Sequence, residues 1–160
     1  MPAKPNVALD ASFIDARTGS GYPHPYSVPC AERRKRPLGD AFELSDFGVN
    51  LVTLPAGTWS SQRHWHSAED ELIYVLEGAP TLITDDGETE LAPGMCAGFR
   101  AGDANGHHLV NNTDKSVVYI EVGSRRDMDD VEYSDIDMQV KARGFGGIFT
   151  RKDGSPLTSG

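Results

Sequence analysis

Two histidines separated by a single residue constrain this chain more than any other feature of its sequence. His64, Trp65 and His66 lie within a stretch that begins at Gly57 and ends at Gly78. Successive side chains of an extended strand point to opposite faces, so the two imidazoles project to the same side, close enough to bind one ion. The stretch therefore predicts a chelating pair on a β-strand.

An acidic residue follows the histidine pair after a short polar break. Glu71 opens the segment ELIYVLEG, whose apolar residues predict the returning strand of a hairpin. The carboxylate can then lie over the two imidazoles. Imidazole nitrogen and carboxylate oxygen suit Mn, Fe, Co, Ni, Cu or Zn and disfavour calcium, which prefers oxygen ligands alone. We therefore expect one divalent transition metal ion, whose identity the sequence leaves open.

The spacing of these residues resembles the two sequence motifs of the cupin superfamily. The first motif is Gly57-x6-His64-x-His66-x4-Glu71-x6-Gly78, and the second is Gly94-x7-Gly102-x4-His107-x3-Asn111. The resemblance covers residues 45–125. It implies a small antiparallel β-barrel in which the two histidines, the glutamate and a later histidine hold one divalent metal.

The second motif departs from the family pattern in three places. Arg100 stands where a proline is usual, Met95 replaces a common aspartate, and two extra residues separate Gly102 from the histidine. Adjacent His107 and His108 cannot both face inward in a strand. Counting back from Asn111 favours His107 as the fourth ligand, with His108 pointing outward, but a bulge in the preceding turn would exchange them.

Strand alternation and the resemblance together predict an apolar pocket with a polar metal floor. The residues expected to line it are Gln62, Ile73, Val75, Phe99 and Leu109. By the same parity Arg63 and Trp65 should face away from the ion, which favours packing roles for both. Arg100 is a further candidate for binding a carboxylate or phosphate.

The remaining segments predict an all-β protein. Short alternating strands follow one another about every ten residues, separated by turns such as Asp85-Asp86-Gly87, and this pattern indicates a barrel or sandwich. We expect a single-domain antiparallel β-barrel of the cupin or jelly-roll type at residues 41–125. A proline-rich N-terminal arm should occupy residues 1–40, and a C-terminal tail packing on the barrel should occupy residues 126–160.

Charge and composition limit the partners and the compartment. The chain has 24 acidic and 15 basic residues, a net charge of −9, which argues against nucleic acid and anionic lipid. We expect the basic run at residues 33–36 and the acidic residues between 127 and 137 to be solvated. No apolar run approaches the roughly 20 residues of a membrane span, and no signal peptide is evident. Cytoplasmic location follows, with Cys30 and Cys96 as free thiols and Cys96 buried.

Three functions remain open at this point. A small metal-dependent enzyme is favoured, and the resemblance implies either dioxygenase or decarboxylase chemistry on an organic acid or phenol, or isomerase chemistry on a sugar phosphate. A cupin that binds or senses a small ligand without turnover is the alternative. A purely structural metal is the weakest, because structural zinc sites usually have four N or S ligands with cysteine prominent. We expect a small-molecule ligand and, through the N-terminal arm, a homodimer.

Overall fold

The computed structural model describes residues 7–143 and 146–157, and within them it is built from β-strands. Three single 3₁₀ turns, Ala11–Phe13, Val28–Cys30 and Asp40–Phe42, are the helical elements of the described residues. The strands in chain order are β1 Arg17–Thr18, β2 Arg34–Pro37, β3 Phe47–Leu54, β4 His64–His66, β5 Glu71–Glu77, β6 Thr81–Thr84, β7 Gly87–Glu90, β8 Cys96–Phe99, β9 His108–Val110, β10 Val117–Ser124, β11 Met128–Tyr133, β12 Gln139–Arg143 and β13 Gly146–Thr150.

The strands form three antiparallel sheets. A six-stranded sheet has the order β1-β2-β3-β10-β5-β8, a four-stranded sheet the order β13-β12-β11-β4, and a three-stranded sheet the order β7-β6-β9. The prediction of an all-β, jelly-roll-like fold is therefore confirmed.

The core lies on the inner face of the six-stranded sheet. In β5, Ile73 and Val75 are buried whereas Leu72 and Tyr74 are exposed, which is the two-residue period expected of a strand with one covered face. The buried apolar cluster consists of Val52, Leu54, Ile73, Val75, Leu82, Leu91, Leu109, Val117 and Tyr119. These side chains come from β3, β5, β6, β9, β10 and the loop after β7, so they join two of the sheets.

A glycine at the end of β5 permits the turn that leads into β6. Gly78 has φ +78°, and a Cβ there would lie 2.8 Å from the carbonyl oxygen of Ser116 and 2.9 Å from a methyl carbon of Val117. A side chain at this position would therefore be both strained and sterically blocked. The backbone conformation and the close approach of Ser116 and Val117 thus explain why the first motif ends in glycine.

The N-terminal segment extends the large sheet. β2 pairs with β3 and β1 pairs with β2. The basic run was expected to be solvated, but three of its four side chains are bound. Arg33 Nη1 donates to the carbonyl of Ser60 at 2.5 Å, Lys35 Nζ lies 2.7 Å from Glu121 Oε1, and Arg36 donates to the carbonyl of Ile14. The expectation is therefore wrong for Arg33, Lys35 and Arg36, whereas Arg34, the first residue of β2, is exposed.

The C-terminal segment forms three strands that reach the histidine pair. β11 pairs with β4, so that Val131 lies opposite His66 and Tyr133 opposite His64. Tyr22 of the N-terminal segment packs edge-on against Tyr133 with ring centroids 5.5 Å apart. Tyr22 of the N-terminal segment and strand β11 therefore pack beside the segment that carries the predicted ligands.

None of the helical elements in the described residues is long and apolar enough to cross a bilayer. The two cysteines are free, as expected, but Cys30 is the buried one and Cys96 is exposed. The expectation for Cys96 is wrong because it projects from the outer face of β8, opposite Tyr74 of β5.

Candidate metal centre

Three imidazoles converge on one carboxylate oxygen. Glu71 Oε2 lies 2.8 Å from Nε2 of His107, 3.4 Å from Nε2 of His66 and 3.7 Å from Nε2 of His64. His64 and His66 come from β4 and Glu71 from the first position of β5. A pair of backbone hydrogen bonds between His64 and His107 brings the third imidazole alongside. The sequence-predicted ligands therefore lie together.

A different contact orients each ring. His64 Nδ1 lies 2.8 Å from the carbonyl oxygen of Gln62, which can only accept, so Nδ1 carries the proton and Nε2 is left with its lone pair. His66 Nδ1 lies 2.5 Å from Asp129 Oδ2. His107 instead stacks on Phe99 with ring centroids 3.5 Å apart and planes 3° from parallel, and its Nδ1 has no partner among the described residues.

The charge states of the site follow from burial and from these contacts. Burial favours the neutral carboxyl of Glu71, yet hydrogen bonds with His107 and His64 hold its pKa well below its ordinary value. Burial lowers the pKa of His107, against the opposing hydrogen bond with Glu71. Burial likewise opposes a charge on His66, but Asp129 and Glu71 outweigh it and raise the pKa. A carboxylate and a neutral imidazole are the forms that bind metals.

This donor set fits a divalent transition ion. Metal–nitrogen and metal–oxygen bonds of about 2.0 to 2.2 Å place neighbouring ligand atoms about 3.0 to 3.5 Å apart. The observed separations of 2.8, 3.4 and 3.7 Å span that range. His64, His66 and Glu71 also offer ligand atoms that all lie within 4.8 Å of one another. His107 lies against Glu71 but is not part of that cluster, so two nitrogens and one oxygen are the donors whose spacing fits one ion directly. They leave positions for a further ligand and a substrate on a five- or six-coordinate ion.

The ligands stand in the wall of a cavity of about 220 Å³. His66, Glu71 and His107 contribute to its lining, and the remaining lining residues are Trp65, Glu69, Leu82, Thr84, Asp86, Ala97, Gly98, Phe99, Arg100, Asp103 and Asn105. Apart from the histidines, Arg100 is the cationic residue of this lining. Within residues 7–143 and 146–157, the Arg100 guanidinium has no hydrogen-bond or ion-pair partner. Burial raises the pKa of Glu69, and the nearby charge of Asp129 adds to the effect.

The predicted pocket residues divide between this cavity and the core. Phe99 lines the main cavity and also a smaller one of about 30 Å³ behind it, where Ile73 and Leu109 contribute. Val75 is fully buried in the core cluster and lines neither cavity. Gln62 also lines neither, because its amide donates to the carbonyl of Tyr26 at 2.8 Å. Gln62 precedes the first residue of β4, so strand parity does not extend to it.

Arg63 and Trp65 were expected to face away from the ion. Arg63 does so, and its guanidinium pairs with Asp135 at 2.7 Å and also with Asp85, a network that raises its pKa. Trp65 lines both the main cavity and the outer pocket to which Arg63 contributes.

The neighbouring histidine occupies a separate environment. His108 Nδ1 lies 2.9 Å from the carbonyl oxygen of Ser61, and its ring meets that of Trp59 edge-on at 4.9 Å. His108 is 5% exposed, so its ring, which was expected to point outward, is covered by these residues instead of reaching solvent. The segment around Ser60 pairs with the edge of β9 through hydrogen bonds with Leu109, and this pairing brings Trp59 and Ser61 against the His108 ring.

Sequence reasoning missed one residue that contacts the site directly. Asp129 belongs to the acidic segment that was expected to be solvated, yet it is 4% exposed and touches His66. The signal available in the sequence was weak: Asp129 and Val131 alternate with polar neighbours, as a strand with one covered face requires. The contact of Asp129 with His66, 63 positions earlier, is not indicated by any pattern in the neighbouring sequence.

Comparison with known proteins gave concordant results. The Cupin domain family model matches residues 50–123. A structure described as a sugar phosphate isomerase from a cupin superfamily, from Silicibacter pomeroyi, is 49% identical with a TM-score of 0.91, covering 95% of this chain and 97% of that one.

More distant structures share the fold. A candidate sugar phosphate isomerase from Acidithiobacillus ferrooxidans is 28% identical with a TM-score of 0.72, covering 80% of this chain and 81% of that one. A predicted oxalate decarboxylase from Thermotoga maritima is 16% identical with a TM-score of 0.61, covering 74% and 99%, and shows the fold alone. A comparison with curated protein sequences gave no significant match.

Proposed function

This chain belongs to the cupin superfamily, and from that premise we propose that it is a metal-dependent isomerase acting on a small sugar phosphate. The observation that carries the proposal is the convergence of three imidazole nitrogens on Glu71 Oε2 in the wall of a cavity. The similarity to a sugar phosphate isomerase over 95% of the chain supports the reaction class. In this proposal His64, His66, Glu71 and His107 hold one divalent ion.

The lining of the cavity suits a small hydroxylated substrate. When bound, a divalent ion polarises a carbonyl or hydroxyl oxygen as a Lewis acid. Thr84 and Asn105 offer neutral hydrogen-bonding groups, and Phe99 offers an apolar wall. Arg100 supplies a guanidinium that can bind a phosphate or carboxylate in a bidentate manner.

Aldose–ketose conversion moves one proton between adjacent carbons and one between their oxygens, with no net oxidation. A group that accepts and returns a proton must therefore stand beside the substrate. Besides the ligand Glu71, the cavity offers three carboxylates for this task, on Glu69, Asp86 and Asp103. Single amide replacements will distinguish them, because the correct one abolishes turnover while metal content stays unchanged.

A direct test is isomer formation in D₂O. Protein loaded separately with Mn²⁺, Fe²⁺, Co²⁺, Ni²⁺, Cu²⁺ or Zn²⁺ is incubated with aldose phosphates of three to six carbons and followed by proton and phosphorus NMR. We expect a ketose product and deuterium at the exchanging carbon, both absent from the His64→Ala variant. Thermal stabilisation by a sugar phosphate without exchange under any metal would instead identify a binding protein.

The partner we propose is a second copy of this chain. Leu72, Tyr74 and Leu76 of β5 are 43%, 42% and 40% exposed on the outer face of the six-stranded sheet. Beside them the ladder places Ile120 and Val122 of β10 on the same face. Two chains of net charge −9 can associate through a surface whose centre carries no charge. The two free thiols support the cytoplasm as the compartment.

A further inference from the structure

The buried carboxylate of Asp129 has both oxygens engaged. Oδ2 lies 2.5 Å from His66 Nδ1, and Oδ1 accepts the backbone N–H of Ala68 at 2.8 Å and, at 3.4 Å, the hydroxyl of Ser67. That hydroxyl in turn accepts the N–H of Asp130 at 2.7 Å. The orientation of the carboxylate is therefore set by a donor that cannot reverse, the amide of Ala68.

This arrangement determines which nitrogen of His66 carries the proton. A carboxylate accepts only, so the neutral ring must place its proton on Nδ1 and its lone pair on Nε2. Nε2 is the atom that faces Glu71, at 3.4 Å. We propose that Asp129 is a positioning residue that holds His66 in the Nδ1–H tautomer, and so makes the C-terminal strand β11 part of the metal centre.

The proposal rests on the metal site proposed above, yet Asp129 lies outside residues 50–123, which match the family model. Carboxylates that accept from the distal nitrogen of a ligating histidine typically change metal affinity by about 10- to 100-fold when removed. Asp129 comes from a strand that follows the whole barrel in sequence. Its contribution therefore depends on the β11–β4 pairing.

An amide at this position should reverse the tautomer. In Asp129→Asn the side-chain oxygen must stay toward the N–H of Ala68, which places the amide nitrogen, a donor, against His66 Nδ1. The ring can then only accept at Nδ1 and carries its proton on Nε2, where it blocks ligation. Asp129→Ala removes the acceptor without forcing the wrong tautomer. We therefore expect the nearly isosteric Asn variant to bind metal more weakly than the Ala variant.

The test combines zinc affinity with imidazole NMR. Zn²⁺ affinity is measured by competition with a chromophoric chelator for wild type, Asp129→Asn, Asp129→Ala and the exposed control Asp127→Asn. We expect losses of about 100-fold for Asp129→Asn and about 10-fold for Asp129→Ala, with none for the control. Nitrogen-15 spectra of metal-free protein, at pH values where His66 is neutral, should show Nδ1–H in wild type and Nε2–H in Asp129→Asn.

The outcomes separate this proposal from the metal site itself. If wild type binds no zinc, the proposed function is overturned. The tautomer of His66 in metal-free wild type tests the role of Asp129 separately, and that measurement does not require the variants to fold. A merely structural carboxylate would make Asp129→Ala the weaker binder. The proposal would be overturned if Asp129→Ala bound zinc more weakly than Asp129→Asn. An Nε2–H tautomer in wild type, or a zinc affinity of Asp129→Asn equal to that of wild type, would overturn it as well.

Discussion

Val131 of β11 lies opposite His66 of β4, so a residue from the last quarter of the chain is the ladder neighbour of a proposed metal ligand. The same ladder places Tyr133 opposite His64, and the two rings are 5.9 Å apart. The histidine pair is therefore held between β11, on one edge of β4, and the His107 segment, which pairs with His64 on the other edge. This placement explains why ligand orientation depends on residues far from either cupin motif.

Removal of a proposed ligand should strip the metal. We expect His66→Ala and Glu71→Ala each to lower metal affinity by more than the ~100-fold typical of outer hydrogen-bond partners, because each loses a donor atom outright. His108→Ala is the matched control, since its ring is buried against Trp59 and Ser61 instead. Elemental analysis of the purified variants gives the readout. Metal lost from His108→Ala but retained by His107→Ala would contradict the assignment.

Arg100 should govern the affinity for anionic substrates. We expect Arg100→Ala to raise KM for a phosphorylated sugar about 10-fold or more, with a smaller effect on kcat, because a charge-assisted contact present in the bound substrate is lost. Arg34→Ala, an exposed arginine of β2, is the control and should leave KM unchanged. An equal KM for Arg100→Ala and wild type would place the anionic group of the substrate elsewhere.

The exposed apolar face of the six-stranded sheet should determine the oligomeric state. We expect wild type to be a dimer, and Leu72→Glu with Tyr74→Glu to be monomeric, because burying an unpaired carboxylate is unfavourable. Light scattering after size exclusion measures the mass. Ile148→Glu, at a side chain that is 78% exposed on β13 of the four-stranded sheet, should remain dimeric. A monomeric wild type would rule out the proposed partner.

Alkaline pH should destabilise the fold through Cys30. Burial raises the pKa of this thiol from 9.0 to about 11, so the native state retains a proton that the unfolded chain releases. The resulting stability is fully present below pH 9 and is lost as the pH rises from 9 toward 11. At pH 10 the loss is about 1.4 kcal/mol.

Denaturant unfolding at pH 8 and at about pH 10 measures this loss. Cys30→Ala should be less stable than wild type at pH 8, because it leaves a cavity, but should show a smaller decline between the two pH values. Burial also raises the pKa of Tyr22 to about 12 and those of Tyr119 and Tyr133, and these phenols begin to add to the loss near pH 10. They do so in wild type and in Cys30→Ala alike, so the difference between the two proteins reports the thiol. An identical decline in wild type and Cys30→Ala would show that the thiol does not titrate as described.

Local sequence determined the parts of this protein that depend on short-range geometry. Alternation along β4 places the imidazoles of His64 and His66 on one side, and Gly78 ends β5 because no side chain fits there. The all-β class follows from the same two-residue period. These features need only the backbone of a few consecutive residues, so a pattern in the chain is sufficient to predict them.

Tertiary structure alone decided the surroundings of those residues. Nothing near Asp129 distinguishes it from its acidic neighbours, and only the pairing of β11 with β4 buries it against His66. Likewise, His108 is buried only because Trp59 and Ser61, nearly fifty positions earlier, pack against it. Contacts between distant strands depend on the packing of the whole chain, and alternation within one strand carries no information about which partner will cover it.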